Sequence, residues 1–207
     1  MVARYLKTIG IKTNQPVGRG FLFPYDVAFA SDGQIYALNR GRVGEKVGTR
    51  IQMFTYDEEW LGEFGEGKGS GPSNFQVPVS MAFNSKDLLH VSDEAAGEIK
   101  GFDRAGNPVA QLGKNITDGG GLKAPAGIAV DDDDNLYVVE RACNRIHMLT
   151  HEGDTILTWG EGGTGNGQFD MPWGIAIDRY GIVYVADWRN DRIQKFTPEG
   201  EFVTSFG

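Results

Sequence analysis

Carboxylate and guanidinium side chains recur together along this chain, and such pairs are candidates for acid–base or anion-binding chemistry. Asp187 is followed by Asn190 and Arg192, and Glu140 is followed at the same spacing by Arg145. A catalytic residue need occur only once, whereas a residue required by a repeated scaffold occurs in every unit. We therefore expect a bracing role, with a catalytic carboxylate–guanidinium site as the alternative. The predicted structural residues are Asp93, Glu140, Arg145, Asp187, Asn190 and Arg192.

These pairs recur because the chain contains four copies of one unit. In every copy, 15 positions separate the first proline from the acidic slot, and 15 separate a second landmark from the closing glycine. The last two copies are offset by 47 residues. A fixed period of this length is typical of a repeat architecture. The copies begin at Pro24, Pro78, Pro125 and Pro172 and close at Gly65, Gly113, Gly160 and Gly207.

Each copy shows the two-residue apolar alternation of β-strands. In the last copy, four strands are predicted in GIAID, IVYVAD, RIQKF and EFVTSFG, with tight turns at DRYG and PEG. Four strands joined by hairpins in about 47 residues make one blade of a β-propeller. No helical period of 3.6 residues competes with this pattern. The predicted class is therefore all-β, with four-stranded antiparallel blades.

The last copy, PWGIAID…GIVYVAD…NDRIQKF…GEFVTSFG, resembles the NHL repeat, and all four copies share its frame. The resemblance implies a six-bladed propeller, of which this chain would supply a part. A fold of this kind does not fix a function, since it hosts enzymes and binding modules alike. We expect one propeller domain over residues 1–207, with a leading outer strand and linker at 1–23 and complete NHL blades at 24–65, 78–113, 125–160 and 172–207.

The leading strand raises the question of how the ring closes. ARYLKTIG, Ala3 to Gly10, aligns with the outer strand EFVTSFG of the last copy. A propeller closes by pairing its first and last strands within one blade. The favoured interpretation is an open arc of four blades whose cut faces meet a partner or a second copy. A truncated chain and a four-bladed ring with a spare strand are the alternatives.

Slots whose residue differs between copies are the better candidates for ligand binding, because the scaffold does not require them. The variable slots follow the acidic residue and the proline, in loops expected at one mouth of the central channel. Aromatic and cationic side chains there would suit an anionic or carboxylate-bearing ligand. An ordinary solvated loop surface is the alternative. The candidates are Tyr25, Asp26, Arg40, Glu94, Arg141, Trp173 and Trp188.

The three histidines and one acidic turn are the candidate metal ligands of this chain. Peptidyl-hydroxyglycine amidating lyases also resemble this repeat, and they bind zinc through histidines in the propeller channel. The resemblance therefore implies zinc as a possible cofactor. His90, His147 and His151 do not share one repeat position, so they are not expected to ring an axis. The run DDDDN, Asp131 to Asn135, aligns with hairpin turns and lacks the spacing of a calcium loop. We expect no metal or other cofactor, with zinc and calcium as alternatives.

The charge and the hydropathy of the chain disfavour nucleic-acid binding and membrane insertion. The net charge of −8 disfavours phosphate-backbone binding, although Arg42, Lys46 and Arg50 form a basic insert that could contact RNA. No apolar run approaches the ~18 residues of a membrane span, and no signal peptide is evident, which favours a cytoplasmic location. We expect a binding or scaffold propeller for a protein, peptide or small ligand. A propeller lyase or hydrolase with a channel metal is the alternative, and RNA binding ranks third.

Overall fold

The computed structural model of the chain describes residues 20–41, 48–114, 116 and 120–207. Each sequence copy forms one antiparallel sheet of four strands in consecutive order, here called the first to fourth blade. The first blade comprises β1 (Pro24–Phe29), β2 (Ile35–Arg40), β3 (Thr49–Phe54) and β4 (Trp60–Phe64). The second comprises β5 (Pro78–Phe83), β6 (Leu89–Asp93), β7 (Glu98–Phe102) and β8 (Pro108–Leu112).

The third and fourth blades repeat this arrangement. The third comprises β9 (Pro125–Val130), β10 (Leu136–Glu140), β11 (Arg145–Leu149) and β12 (Thr155–Trp159). A short parallel pair follows, β13 (Glu161–Gly162) and β14 (Gln168–Phe169). The fourth comprises β15 (Pro172–Ile177), β16 (Val183–Asp187), β17 (Arg192–Phe196) and β18 (Phe202–Phe206).

The prediction of four-stranded antiparallel blades is confirmed. The alternating sequences form strands because side chains of successive residues point to opposite faces of each sheet. Single 3-10 turns, Arg141–Cys143 and Trp188–Asn190, separate the second and third strands of the last two blades. The predicted leading strand, Ala3 to Gly10, lies outside the described residues, and the domain boundaries remain a prediction. No helix among the described residues is long and apolar enough to cross a membrane.

Apolar layers lie between consecutive blades, and the innermost strands of neighbouring blades contact one another. We call the face that a blade turns toward the next blade its trailing face, and the opposite face its leading face. Trailing-face residues Leu38 and Ile51 of the first blade pack with leading-face Met81 and Val91 of the second. The later layers are built from the same slots, with Ile99, Ile128, Leu136 and Val138 in one and Tyr137, Val139, Ile146, Val183 and Val185 in the other.

Glycine is required in the turn between the third and fourth strands of later blades. Gly106, Gly153 and Gly200 all have positive φ, at 85°, 96° and 78°. A Cβ at Gly106 would also lie 2.3 Å from the Phe64 ring of the first blade. The side chain that closes each outer strand therefore packs directly on the next blade's turn.

Candidate functional site

The variable-slot side chains form one row along a common end of the blades. The Arg40 guanidinium lies 4.2 Å from the centroid of the Tyr25 ring. Its Nη2 is 3.8 Å from Oε2 of Glu94, and the other oxygen of this carboxylate, Oε1, accepts a hydrogen bond from Arg141. The Arg141 guanidinium in turn lies 5.2 Å from the centroid of the Trp173 ring. Three charged side chains of alternating sign thus lie between two aromatic rings, from the first blade to the fourth.

The row ends in a pair of tryptophans. The rings of Trp173 and Trp188 meet edge to face, with centroids 6.4 Å apart and an interplanar angle of 68°. Trp188 is 57% exposed, so its ring borders solvent although it is large and apolar. Edge-to-face packing is a favourable arrangement of two aromatic rings, so each tryptophan stabilises the position of the other.

The local backbone explains why these side chains converge. Inner strands β1, β5 and β15 each begin with a register irregularity against their neighbour, between Pro24 and Asp26, between Pro78 and Met81, and between Pro172 and Ile175. Such bulges bend a strand and redirect a side chain. In the first and fourth blades, the residue after the proline lies beside the residue that follows the acidic slot, as Tyr25 beside Arg40 and Trp173 beside Trp188.

Asp26 differs from the other candidates because backbone groups occupy both of its carboxylate oxygens. Oδ1 accepts a hydrogen bond from the Val27 N–H at 2.9 Å, and Oδ2 accepts one from the Met81 N–H at 2.6 Å. The second bond joins the inner strands of the first and second blades. In this geometry Asp26 acts as an inter-blade link.

Cavities adjoin the candidate residues, and one of about 580 Å³ lies at Tyr25, Asp26 and neighbouring apolar side chains. Two others each contain an arginine. The first, of about 570 Å³, is lined by Phe23, Tyr25, Arg40, Gly41, Lys68, Gln76 and Val77. Two cations and two aromatic rings line it, and none of these described residues carries a carboxylate. The second, of about 520 Å³, is lined by Trp173, Gly174, Ala186, Asp187, Trp188 and Arg192. Sequence reasoning missed Lys68, because it lies in the linker between the first and second blades and not in one of the variable slots within a blade.

The acidic slot performs one task in all four blades. Its side-chain oxygen accepts a hydrogen bond from a backbone N–H of the linker that precedes the blade. The bonds are Leu22 N–H to Asn39 at 2.9 Å, Gln76 and Val77 N–H to Asp93 at 2.7 and 2.8 Å, Lys123 N–H to Glu140 at 2.7 Å, and Asp170 N–H to Asp187 at 2.8 Å. This recurrence is the geometry of a brace between linker and blade.

Basic and amide partners complete the brace in the last blade. Arg192 Nε lies 2.9 Å from Asp187 Oδ2, and Arg192 Nη2 donates to the carbonyls of Gly165 and Gln168 at 2.7 and 2.9 Å. Asn190 Nδ2 donates to Asp187 Oδ2 and to the Gly163 carbonyl, both at 2.9 Å. Asp187 is fully buried, so its charge is stabilised by these bonds rather than by water.

In the third blade, a histidine joins the arginine as a partner of the acidic residue. Arg145 Nε lies 2.5 Å from Glu140 Oε2, and His147 Nε2 lies 2.8 Å from the same oxygen. His147 Nδ1 lies 3.0 Å from the Thr158 hydroxyl oxygen. Burial alone would raise the pKa of Glu140, but hydrogen bonds from His147, Arg145 and the Lys123 N–H outweigh it and bring the pKa to about 2.

The other two histidines lie in contrasting environments. His90 is 2% exposed, and neither ring nitrogen has a hydrogen-bond partner, so burial lowers its pKa to about 4. His151 is exposed beside Glu152, with 2.8 Å between Nε2 and Oε1. Across the described residues, no group of three or more His, Cys, Asp or Glu side chains is arranged to hold a metal ion.

The structure describes the acidic turn, Asp131 to Asn135, and one residue of the basic insert, Arg50. Asp131 accepts hydrogen bonds from the N–H groups of Asp133 and Asn135 at 3.0 and 2.8 Å, which is the pattern of a closed hairpin turn. Arg50 is 2% exposed and lies 2.9 Å from Glu63, so it points into the blade and not toward a nucleic acid. Arg42 and Lys46 lie outside the described residues.

Comparison with known proteins identifies the class of fold. The NHL repeat family model matches residues 169–196. A crystal structure of catalytically inactive H270A virginiamycin B lyase from Staphylococcus aureus with quinupristin aligns at TM-score 0.65 and 21% identity, covering 87% of this chain and 54% of that one. A streptogramin B lyase aligns at TM-score 0.69 and 14% identity, covering 95% and 57%. The chain is therefore an all-β partial propeller that carries an NHL repeat, which confirms the predicted resemblance.

The comparisons define the fold more closely than the activity. Hydrazine synthase of Kuenenia stuttgartiensis also aligns, at TM-score 0.64 and 14% identity, covering 98% of this chain and 52% of that one. The chain thus spans little more than half the length of these solved structures. No curated protein matches the sequence. At such identities, similarity extends to the fold alone.

Proposed function

We propose that this propeller is a binding module whose mouth holds an apolar ligand or peptide through its carboxylate. The observation that carries the proposal is the cavity of about 570 Å³ in which Arg40 and Lys68 lie beside Phe23 and Tyr25. Two positive charges, with no carboxylate among the described lining residues, favour an anion, and the aromatic rings favour an apolar body.

Arg40 is the side chain best placed to hold the carboxylate. Stacking on Tyr25 orients its planar guanidinium in advance, which lowers the entropy lost when a ligand binds. Arg40 Nη2 lies 3.8 Å from Glu94 Oε2, which is too long for a hydrogen bond. The N–H donors of the guanidinium therefore remain available to a ligand. A charge-assisted hydrogen bond contributes about 1.5–3 kcal/mol, or roughly 10- to 100-fold in affinity.

The proposal is tested by calorimetric titration with the peptide N-acetyl-Phe-Leu-Phe as its free acid and as its C-terminal amide. We expect the acid to bind at least about tenfold more tightly, and Arg40→Gln to remove that preference. Arg104→Gln is the matched control, because this guanidinium pairs with Asp32 and Asp87 in turns outside the cavity. Equal affinity of acid and amide for the natural chain would refute the proposal.

A lyase-type activity is the second candidate, and two observations favour it. Two of the similar structures are streptogramin-type lyases. In this chain, Glu140, His147 and Thr158 form a hydrogen-bonded line in which the imidazole could accept a proton from the hydroxyl. Incubation with quinupristin, followed by chromatography with mass spectrometry, tests this candidate. Conversion that is lost in His147→Gln would support it, and unchanged quinupristin would exclude it for that substrate.

A further inference from the structure

The hydrogen-bonded line of Glu140, His147 and Thr158 in the third blade runs from a buried carboxylate to an exposed hydroxyl. Glu140 and His147 are 0% and 2% exposed, whereas Thr158 is exposed on the outer strand β12. His147 Nε2 lies 2.8 Å from Glu140 Oε2, and His147 Nδ1 lies 3.0 Å from the Thr158 hydroxyl oxygen. An imidazole placed between a carboxylate and a hydroxyl is the arrangement that activates a nucleophile.

The carboxylate determines which nitrogen of the His147 ring carries the proton. Glu140 is ionised at neutral pH, since its pKa is about 2, and an ionised carboxylate accepts hydrogen bonds but donates none. In the neutral imidazole the proton therefore lies on Nε2, facing Glu140. The lone pair of Nδ1 then faces Thr158 and accepts its hydroxyl proton. Glu140 Oε1 also accepts a hydrogen bond from the Lys123 N–H at 2.7 Å, which fixes the carboxylate from its other side.

The repeated scaffold does not require a base at the slot of His147. Gln52 and Gln194 occupy this slot in the first and fourth blades, and both are fully buried. Gln52 accepts a hydrogen bond from Asn39 at 3.1 Å, and Gln194 donates one to Asp187 at 3.1 Å. A neutral amide is therefore sufficient to contact the acidic slot. The histidine of the third blade adds a proton acceptor beside a hydroxyl, which bracing alone does not need.

We propose that Thr158 is a nucleophile that accepts acyl groups from activated esters, with His147 as its general base and Glu140 as a positioning residue. The nucleophile is accessible because β12 is the edge strand of its sheet. An edge strand presents backbone N–H groups along its free side, and such groups stabilise the oxyanion of acyl transfer. The proposal does not rest on carboxylate binding at Arg40. It differs from the lyase candidate because a covalent threonine ester is formed.

The reaction consists of two balanced steps. In the first, Thr158 Oγ1 bonds to the acyl carbon, the hydroxyl proton passes to His147 Nδ1, and the bond to the leaving group breaks. The leaving group then takes the proton from Nδ1. In the second step, water attacks the acyl carbon, its proton passes through Nδ1 to Thr158 Oγ1, and the carboxylic acid is released. The net reaction is hydrolysis of the ester, and the threonine hydroxyl is restored.

Incubation of the whole chain with p-nitrophenyl acetate tests the proposal. Release of p-nitrophenolate is followed by absorbance, and acetyl adducts are located by tandem mass spectrometry. We expect an acetyl ester on Thr158 that hydroxylamine removes, whereas amide adducts on lysines resist this treatment. His147→Gln should slow acetylation of Thr158 at least about 100-fold, which is the smallest usual contribution of a general base. Glutamine at this position should not prevent folding, because Gln52 and Gln194 fill the same slot.

Two threonines of the same strand provide a matched pair of variants. Thr155 and Thr158 are both exposed on β12, but only Thr158 has a hydrogen bond to an imidazole among the described residues. Thr158→Val should abolish the ester adduct, whereas Thr155→Val should leave its rate of formation unchanged. Thr158→Ser keeps a hydroxyl at the same position and should retain the adduct.

Each remaining outcome supports or overturns the proposal. If the ester is hydrolysed as fast as it forms, no adduct accumulates, and slower p-nitrophenolate release in Thr158→Val then supports the proposal. Equal acetylation of Thr155 and Thr158, or equal rates in the natural chain and His147→Gln, would show that the hydroxyl is not activated and would overturn it. So would the absence of an ester adduct together with release that Thr158→Val does not slow. Unchanged quinupristin excludes only the lyase candidate for that substrate, since this proposal concerns activated esters.

Discussion

Glu94 of the second blade accepts a hydrogen bond from Arg141 of the third blade. Its other carboxylate oxygen lies 3.8 Å from Arg40 of the first blade, so one acid lies between two guanidinium groups from different blades. Because the scaffold does not repeat this acid at other copies of its slot, its role is local to the row. It both links the blades and offsets positive charge at the proposed site.

Replacing Glu94 with glutamine should strengthen carboxylate binding. The substitution keeps the size and a hydrogen-bond acceptor but removes the negative charge that competes for Arg40. A partly exposed ion pair is worth about 0.2–1 kcal/mol, so we expect affinity for the free-acid peptide to rise roughly two- to fivefold. Titration calorimetry measures this. Binding of the amide peptide is the internal control and should not change, and weaker acid binding would contradict the proposed anion site.

A matched pair of glycine substitutions measures the contact between blades. Gly33 and Gly106 both have φ of 85°, but a Cβ at Gly33 has no atom within 4 Å, whereas one at Gly106 lies 2.3 Å from Phe64. Gly33→Ala should cost about 1–2 kcal/mol from backbone strain alone. Gly106→Ala should cost a further ~1–3 kcal/mol from overpacking against the first blade. Urea unfolding gives both values, and equal losses would show that the blades yield freely at this point.

The repeat explains why the strands were predictable from the sequence, whereas the contacts of the candidate site residues were not. Within a copy, the two-residue period and the fixed distance from proline to the acidic slot determine register. The partner of each side chain depends on contacts between copies, and the repeat period contains no information about these contacts. Asp26 is directed to the Met81 N–H by a bulge, and Lys68 reaches the cavity from the linker between the first and second blades. Arg50 was expected on a basic surface, but its charge is neutralised inside the blade by Glu63.

Replacing Asp187 with asparagine should destabilise the fourth blade strongly. The carboxylate is fully buried and receives bonds from the Asp170 N–H, Asn190 and Arg192. Loss of its charge leaves the partly buried Arg192 without its counter-ion, a change that costs about 3–5 kcal/mol. Thermal and urea unfolding measure the loss. An unchanged midpoint would show that the linker bonds alone hold the blade.

Stability should fall in mild acid because of His90. Burial lowers the pKa of this imidazole in the folded chain to about 4 from an unfolded value near 6.5, so the neutral form is required for folding. Its contribution is complete above about pH 6.5. It is lost progressively as the pH falls toward 4, because the unfolded chain binds a proton that the folded chain does not. The full difference amounts to about 3 kcal/mol.

His90→Tyr tests this pH dependence, since Tyr36 and Tyr137 fill the same slot in other blades. Between pH 6.5 and 4.5, we expect the unfolding free energy of the natural chain to fall by about 2–3 kcal/mol more than that of the variant. The lowered pKa of Glu140 changes the unfolding free energy with pH by the same amount in both proteins, so it cancels in the comparison. His151→Gln, on an exposed turn, is the control and should retain the natural profile. Parallel profiles for the natural chain and His90→Tyr would show that His90 is solvated in the folded protein.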